Sequence, residues 1–306
     1  MQFLIYILVY PFLWLISILP FPLFYKFSDA ICFLVYRIIK YRRKVVRRNL
    51  ELSFPKKSSK ELSEIEKKFY SHMCDLFLEM IKSLSISKKE IQKRFRFKNL
   101  ELIRHYEREN RNVILVCGHY ASYEWMVSLG YEIKHKGFAI YTPLANKYFD
   151  KLVQKIRMRH EAYLLSRYTA VKDIKKHKEQ KILAMYGFAS DQSPSPKRAK
   201  YWRTFMGVTV PVFTGAEFMA KETDCAVIFL DIQKIKRGYY ETTFKLIADK
   251  PNEFEDYEIT DIFTALLEEQ IKAKPEFYLW THKRFKHMGK EPKGLVDGKV
   301  VIPPKS

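Results

Sequence analysis

Hydrophobic and polar positions follow three regimes along the chain. Residues 1–25 carry no charged side chain, and at 1.5 Å per residue about 20 apolar residues cross a bilayer core. That stretch predicts an N-terminal membrane-anchor helix long enough for one transmembrane crossing, with a kinked or shallowly inserted anchor as the alternative because Pro11, Pro20 and Pro22 weaken a straight helix. In residues 58–83, Leu62, Ile65, Phe69, Met73, Leu76, Phe77 and Met80 recur at helical spacing. They predict a long amphipathic helix capped by Ser58 or Ser59. Residues 91–111 read as a short strand and a helix. Thereafter short apolar runs alternate with helical stretches. Residues 113–117, 138–141, 181–189 and 226–230 read as buried strands, and 239–246 as a half-exposed one. Helical stretches fall near 121–135, 149–158 and 259–272. Thr214-Gly215-Ala216-Glu217 fits a capping box that starts another helix. This alternation predicts one α/β domain over 26–306, a mixed central sheet flanked by helices, behind an anchor over 1–25.

Charge adds an anionic partner to that picture. The net charge is +21, from 55 basic and 34 acidic residues, which suits nucleic acid, anionic lipid head groups or phosphorylated substrates. Basic residues begin where the apolar start ends, with Lys26, Arg37, Lys40, Arg42, Arg43, Lys44, Arg47 and Arg48. The positive-inside rule then places the bulk of the chain on the cytoplasmic side, against anionic membrane lipids. Cys32, Cys74, Cys117 and Cys225 form no CxxC pair, and the histidines show no ligand spacing, so no metal and no disulfide framework is expected. GxxxxGK[ST], GxGxxG and GxSxG are all absent, against nucleotide hydrolysis, dinucleotide redox and a nucleophile-elbow hydrolase.

The candidate chemistry starts at the end of the 113–117 run. Gly118 allows a sharp turn, His119 follows it, and Glu124 comes five residues later. A histidine oriented by a carboxylate at a strand's carboxyl end is a minimal general base. Within one regular helix the two side chains would point about 140° apart, so His119 must sit in the turn. Asp191 ends the 181–189 run, either capping a turn or serving the site. Arg157 and Arg159, two apart on a helix, face different sides, so at most one serves a given site unless the helix ends there.

The chain resembles the bacterial lipid A biosynthesis (late, or secondary) acyltransferases, a branch of the lysophospholipid acyltransferase superfamily. The likeness rests on Asn49-Leu50-Glu51-Leu52-Ser53-Phe54-Pro55, Gly118-His119 with Glu124, and Tyr141-x-Pro143 with Asn146 leading to Arg157-x-Arg159. It continues through Asp191-Gln192, Phe205-x-Gly207 and the specific run 275–286, PEFYLWTHKRFK. The resemblance implies a single acyltransferase domain at the inner membrane. It would transfer a fatty acyl chain from acyl carrier protein to a hydroxyl of a lipid A precursor, without a cofactor. By the same carry-over His119 is the base and Glu124 its partner, Arg157 or Arg159 meets phosphate or the oxyanion, and Asp191 and Gln192 line the site. His160 and the 193–198 loop depart from the family pattern and bear on the acceptor, for which phospholipids, glycolipids and amino-acid lipids are alternatives. Two other classes compete. A basic nucleic-acid-binding protein needs no uncharged start and would show a recognition motif, which is absent. A catalytically silent membrane scaffold of the same fold is the other.

Overall fold

The computed structural model describes residues 2–300, so Met1 of the predicted anchor and residues 301–306 of the predicted domain lie outside the described residues. Two helices open the chain, α1 (Gln2–Ile18) and α2 (Phe21–Phe33), the latter running into a π-helical turn at Leu34–Ile38. Helices α3 (Arg43–Ser53), α4 (Ser59–Lys82) and α5 (Lys88–Arg94) follow, then β1 (Phe95–Phe97) and α6 (Glu101–Arg108). The α/β part comprises β2 (Val113–Cys117), a 3-10 helix (Tyr123–Tyr131), β3 (Lys136–Tyr141), α7 (Lys147–Arg159), β4 (Ala162–Ser166), α8 (Ala170–Glu179) and β5 (Ala184–Ala189). A short hairpin, β6 (Trp202–Phe205) and β7 (Val208–Pro211), leads to α9 (Gly215–Thr223). The chain then forms the long hairpin β8 (Ala226–Lys236) and β9 (Tyr239–Ala248), α10 (Glu258–Ala273), and a terminal pair β10 (Leu295–Val296) and β11 (Lys299–Val300).

Seven strands form one mixed sheet in the order β1-β9-β8-β2-β5-β3-β4. All neighbours are parallel except β8 and β9. Strand β2 sits between β5 and β8 with Val113, Ile114, Leu115 and Val116 buried, as a central strand covered on both faces requires. Helix α4 forms as its apolar spacing predicts. Ser58 Oγ accepts from the Glu61 N–H, and the Glu61 carboxylate accepts from the Ser58 N–H at 2.8 Å.

Three expectations are corrected. The uncharged start is not one spanning helix: it breaks at Leu19–Pro20, where Pro20 adopts an extended ψ of 142°. Among the described residues no helix is long and apolar enough to cross a membrane. The break is pinned from inside, since Lys82 Nζ donates to the carbonyls of Ser17 (2.5 Å) and Leu19 (2.7 Å). Second, the helical stretch after His119 is shorter than 121–135 and wound as a 3-10 helix, over Tyr123–Tyr131. Third, the Thr214–Glu217 capping box does not form. Thr214 makes no side-chain cap bond, while the Glu217 carboxylate accepts from the Tyr257 and Thr260 N–H groups, capping α10 instead.

Candidate active site

Parallel pairing brings two distant residues together. Cys117 of β2 is in register with Ala189 of β5. His119 and Asp191 each lie two residues past that pair, at the carboxyl ends of adjacent parallel strands, where open α/β sheets gather their functional groups. His119 Nδ1 lies 2.6 Å from Asp191 Oδ1, and the carboxylate is buried. Burial by itself would disfavour the charged imidazole. The ion pair and hydrogen bond to Asp191 outweigh it and raise the pKa of His119 above the usual histidine value. Burial likewise pushes the Asp191 carboxyl up, but His119 wins and holds it below the usual carboxylate range. The ionised carboxylate fixes the tautomer with hydrogen on Nδ1, leaving Nε2 as an acceptor. Gln192 Nε2 approaches it at 3.3 Å.

His119 does sit in the turn before the 3-10 helix, and Glu124 lies in that helix's first turn. The Glu124 carboxylate is not the hydrogen-bond partner of His119, however. Both of its oxygens accept from Arg157 Nη2, at 2.9 and 2.7 Å. The site thus holds two ion pairs, His119–Asp191 and Glu124–Arg157, where the sequence suggested one His/Glu dyad. Arg159 points elsewhere, with Nη1 on the Leu84 carbonyl, and is exposed. His160 is buried between the Tyr131 hydroxyl (3.0 Å) and the Ser83 carbonyl (3.2 Å), a structural position.

The His119 loop is held by the C-terminal segment. Leu279 N–H donates to the His119 carbonyl and Ala121 N–H to the Phe277 carbonyl, both at 3.0 Å, beside an antiparallel bridge from Tyr120 to Tyr278. Ala121 takes a left-handed φ of 48°, a conformation that costs a non-glycine residue about 1–3 kcal/mol and persists only where the surroundings hold it. Gly118 packs closely, since a Cβ there would come to 2.6 Å from the Leu267 side chain on α10, which would have to shift. Behind Asp191, the buried Arg284 donates to Ser193 Oγ (2.9 Å) and the Pro211 carbonyl (3.0 Å). Asn49 Nδ2 bonds the carbonyls of Trp280 and His282, both at 2.8 Å. The run 275–286 is therefore the clamp on the His119 loop. Sequence reasoning found the run but not this use of it. It also missed Tyr123, whose ring meets the His119 imidazole edge-on at 5.0 Å.

His119, Glu124, Arg157 and Gln192 open onto a cavity of about 550 Å³ whose remaining lining is mostly apolar. Its floor is the sheet face on which Leu115, Gly187 and Ala139 form one register row, with Met185 and Gly137 in the row before. Small residues there leave the hollow: a Cβ at Gly137 meets nothing within 4 Å, and at Gly187 only the Phe138 carbonyl at 3.8 Å. An apolar cavity of this size with a few convergent polar groups suits one long hydrocarbon chain and a reacting head. Cys117 also lines it, but burial pushes its thiol up to about 12, so it is no thiolate nucleophile.

Comparison with known proteins gives the family. Residues 1–287 match the family described as bacterial lipid A biosynthesis acyltransferase. The chain is 26% identical to the lipid A biosynthesis lauroyltransferase of Escherichia coli K12 over 277 residues, covering 90% of this chain and 89% of that one. It is 23% identical to the lipid A biosynthesis palmitoleoyltransferase of the same organism over 279 residues (90% and 88%). A lipid A biosynthesis acyltransferase of Haemophilus influenzae is 23% identical over 277 residues (88% and 86%).

Proposed function

Because the chain belongs to the bacterial lipid A biosynthesis acyltransferase family, we propose that this acyltransferase moves a fatty acyl chain from an acyl thioester, acyl-ACP in the cell, to a hydroxyl of a lipid A precursor. The observation that carries the reading is the His119–Asp191 pair at 2.6 Å on the rim of a largely apolar cavity. In this mechanism the acceptor hydroxyl displaces the Gln192 amide from His119 Nε2. It gives up its proton there as its oxygen attacks the thioester carbonyl. Asp191 holds the imidazole by Nδ1–H and stabilises the imidazolium, as the carboxylate does in a serine triad. The carbonyl oxygen becomes an oxyanion, for which Arg157, steadied by Glu124, is the nearby cation. The C–S bond then breaks, and the thiolate takes the proton back from Nε2.

We place the protein on the cytoplasmic face of the inner membrane, with α1 lying in the interface rather than across it. The support is the outward side of α1, where Leu4, Leu8 and Phe12 are 64%, 68% and 67% exposed, and the basic residues that follow. The test uses purified protein, acyl-ACP and a lipid A precursor, with the product identified by mass spectrometry. Acyl transfer is expected in the native protein and a loss of several orders of magnitude in His119→Ala. Full activity in that variant would overturn the mechanism.

A further inference from the structure

Beside the apolar cavity lies a second one, of about 650 Å³, walled by Arg167, Lys197, Arg198 and Lys200 together with Pro194, Phe213 and neighbouring small residues. No acidic residue lines it among the described residues. Among the described residues none of these four side chains meets a carboxylate within 4.0 Å, whereas Arg43, Arg94, Arg111, Arg157 and Arg237 all do. A chain with 21 more cations than anions must leave many unpaired, but here four surround one concavity. The loop that carries three of them is well held. Ser193 is buried, and its Oγ donates to the Arg284 carbonyl at 2.7 Å. Pro194 and Pro196 restrict the next turns, Ala199 N–H returns to the Ser195 carbonyl, and Val300 N–H donates to the Lys200 carbonyl.

The two cavities share Arg167, Phe213 and Gly215 in their linings, and the basic loop leaves the sheet directly after Asp191-Gln192. A ligand seated in the basic cavity is therefore within one molecule's reach of His119. We propose that this cavity binds a phosphate group of the acceptor lipid, fixing which hydroxyl meets His119, an inference that rests on the acyl-transfer reading above. Four cations suit a phosphate dianion better than a singly charged carboxylate, and guanidinium with ammonium groups is the usual donor set for phosphate. A concavity of this size suits a head group rather than the broad surface of a carrier protein.

The test is the full-length variant Lys197→Ala/Arg198→Ala/Lys200→Ala in detergent. All three side chains are exposed, and an unchanged melting temperature checks that the fold is intact. Native protein should use a phosphorylated acceptor at least about tenfold better, in kcat/KM, than the same lipid after phosphatase treatment. The variant should lose that preference, with the thioester KM unmoved. In calorimetry without substrates, inorganic pyrophosphate should bind the native protein and His119→Ala alike, and the triple variant at least about tenfold more weakly. A preference retained by the triple variant overturns the proposal, as does a rise confined to the thioester KM, which would assign the cavity to the donor's carrier. Pyrophosphate binding lost in the triple variant of an enzyme with no acyl transfer would sink the functional reading and leave the phosphate site standing.

Discussion

His119 and Asp191 are 72 residues apart in sequence and 2.6 Å apart in space. As the proposed base, His119 would work only as neutral imidazole, and Asp191 raises the pKa at which it becomes neutral. Activity should therefore rise with pH through a value above the ordinary histidine range. Asp191→Asn removes the anion, so the acid limb of the pH–rate profile should move to lower pH while kcat falls by about 10²–10⁴. An unmoved limb would mean that another group sets the profile. Gly187 offers a second test at this scale. Its Cβ direction is open apart from one carbonyl at 3.8 Å, and a β-branched side chain suits a strand. Gly187→Val should fold normally and shift preference towards shorter acyl thioesters in a competition assay. An unchanged product distribution would place the chain elsewhere.

At the scale of elements, what could be read from sequence was what local forces decide. The apolar spacing of Leu62, Phe69 and Met73 and the Ser58–Glu61 pair sufficed for α4, and the β-branched run sufficed for β2. The misreadings share a cause, since in each a distant element supplies the deciding contact. Glu217 looks like the third residue of a capping box, yet its carboxylate serves α10, forty residues on. The segment after His119 has helical composition, but the clamp from Phe277 and Leu279 sets its geometry. Asp191 could be placed at a strand end, but not beside His119, because the order β2-β5 and its register are invisible locally. Asn49 tests the clamp. Its amide bonds the buried Trp280 carbonyl and shares the His282 carbonyl with the Arg284 N–H, so Asn49→Ala should cost about 2 kcal/mol in denaturant unfolding. It should also lower kcat without touching any reacting group. A stability loss with kcat intact would show that the clamp does not position His119.

At the scale of the whole molecule, the apolar start is built onto the fold. Helices α1 and α2 rest on α4, and Arg237 ties Asp29 of α2 (2.6 Å) to the buried Asp75 of α4 (2.7 Å). An apolar face this firmly built, next to a basic segment, predicts binding to anionic vesicles that weakens with salt. Leu4→Glu/Leu8→Glu/Phe12→Glu should shift the protein from the vesicle pellet to the supernatant, with the melting temperature unchanged because these side chains are exposed. Equal partitioning of native and variant protein would remove α1 from the interface.

Helix α1 also touches α7, the helix that carries Arg157: Phe3 and Tyr148 rings lie 5.1 Å apart, Tyr6 and Phe149 rings 5.5 Å. If α1 lies in the interface as proposed, the reaction chamber stands one helix away from the bilayer, and a lipid acceptor can reach it sideways. Pulling one twelve-carbon chain into water costs about 10 kcal/mol, at about 0.8 kcal/mol per methylene, and lateral access avoids that step. The enzyme then samples its acceptor in two dimensions. Its rate follows the mole fraction of acceptor in the surface rather than its bulk concentration, and falls on dilution with inert lipid even when the total amount is held constant.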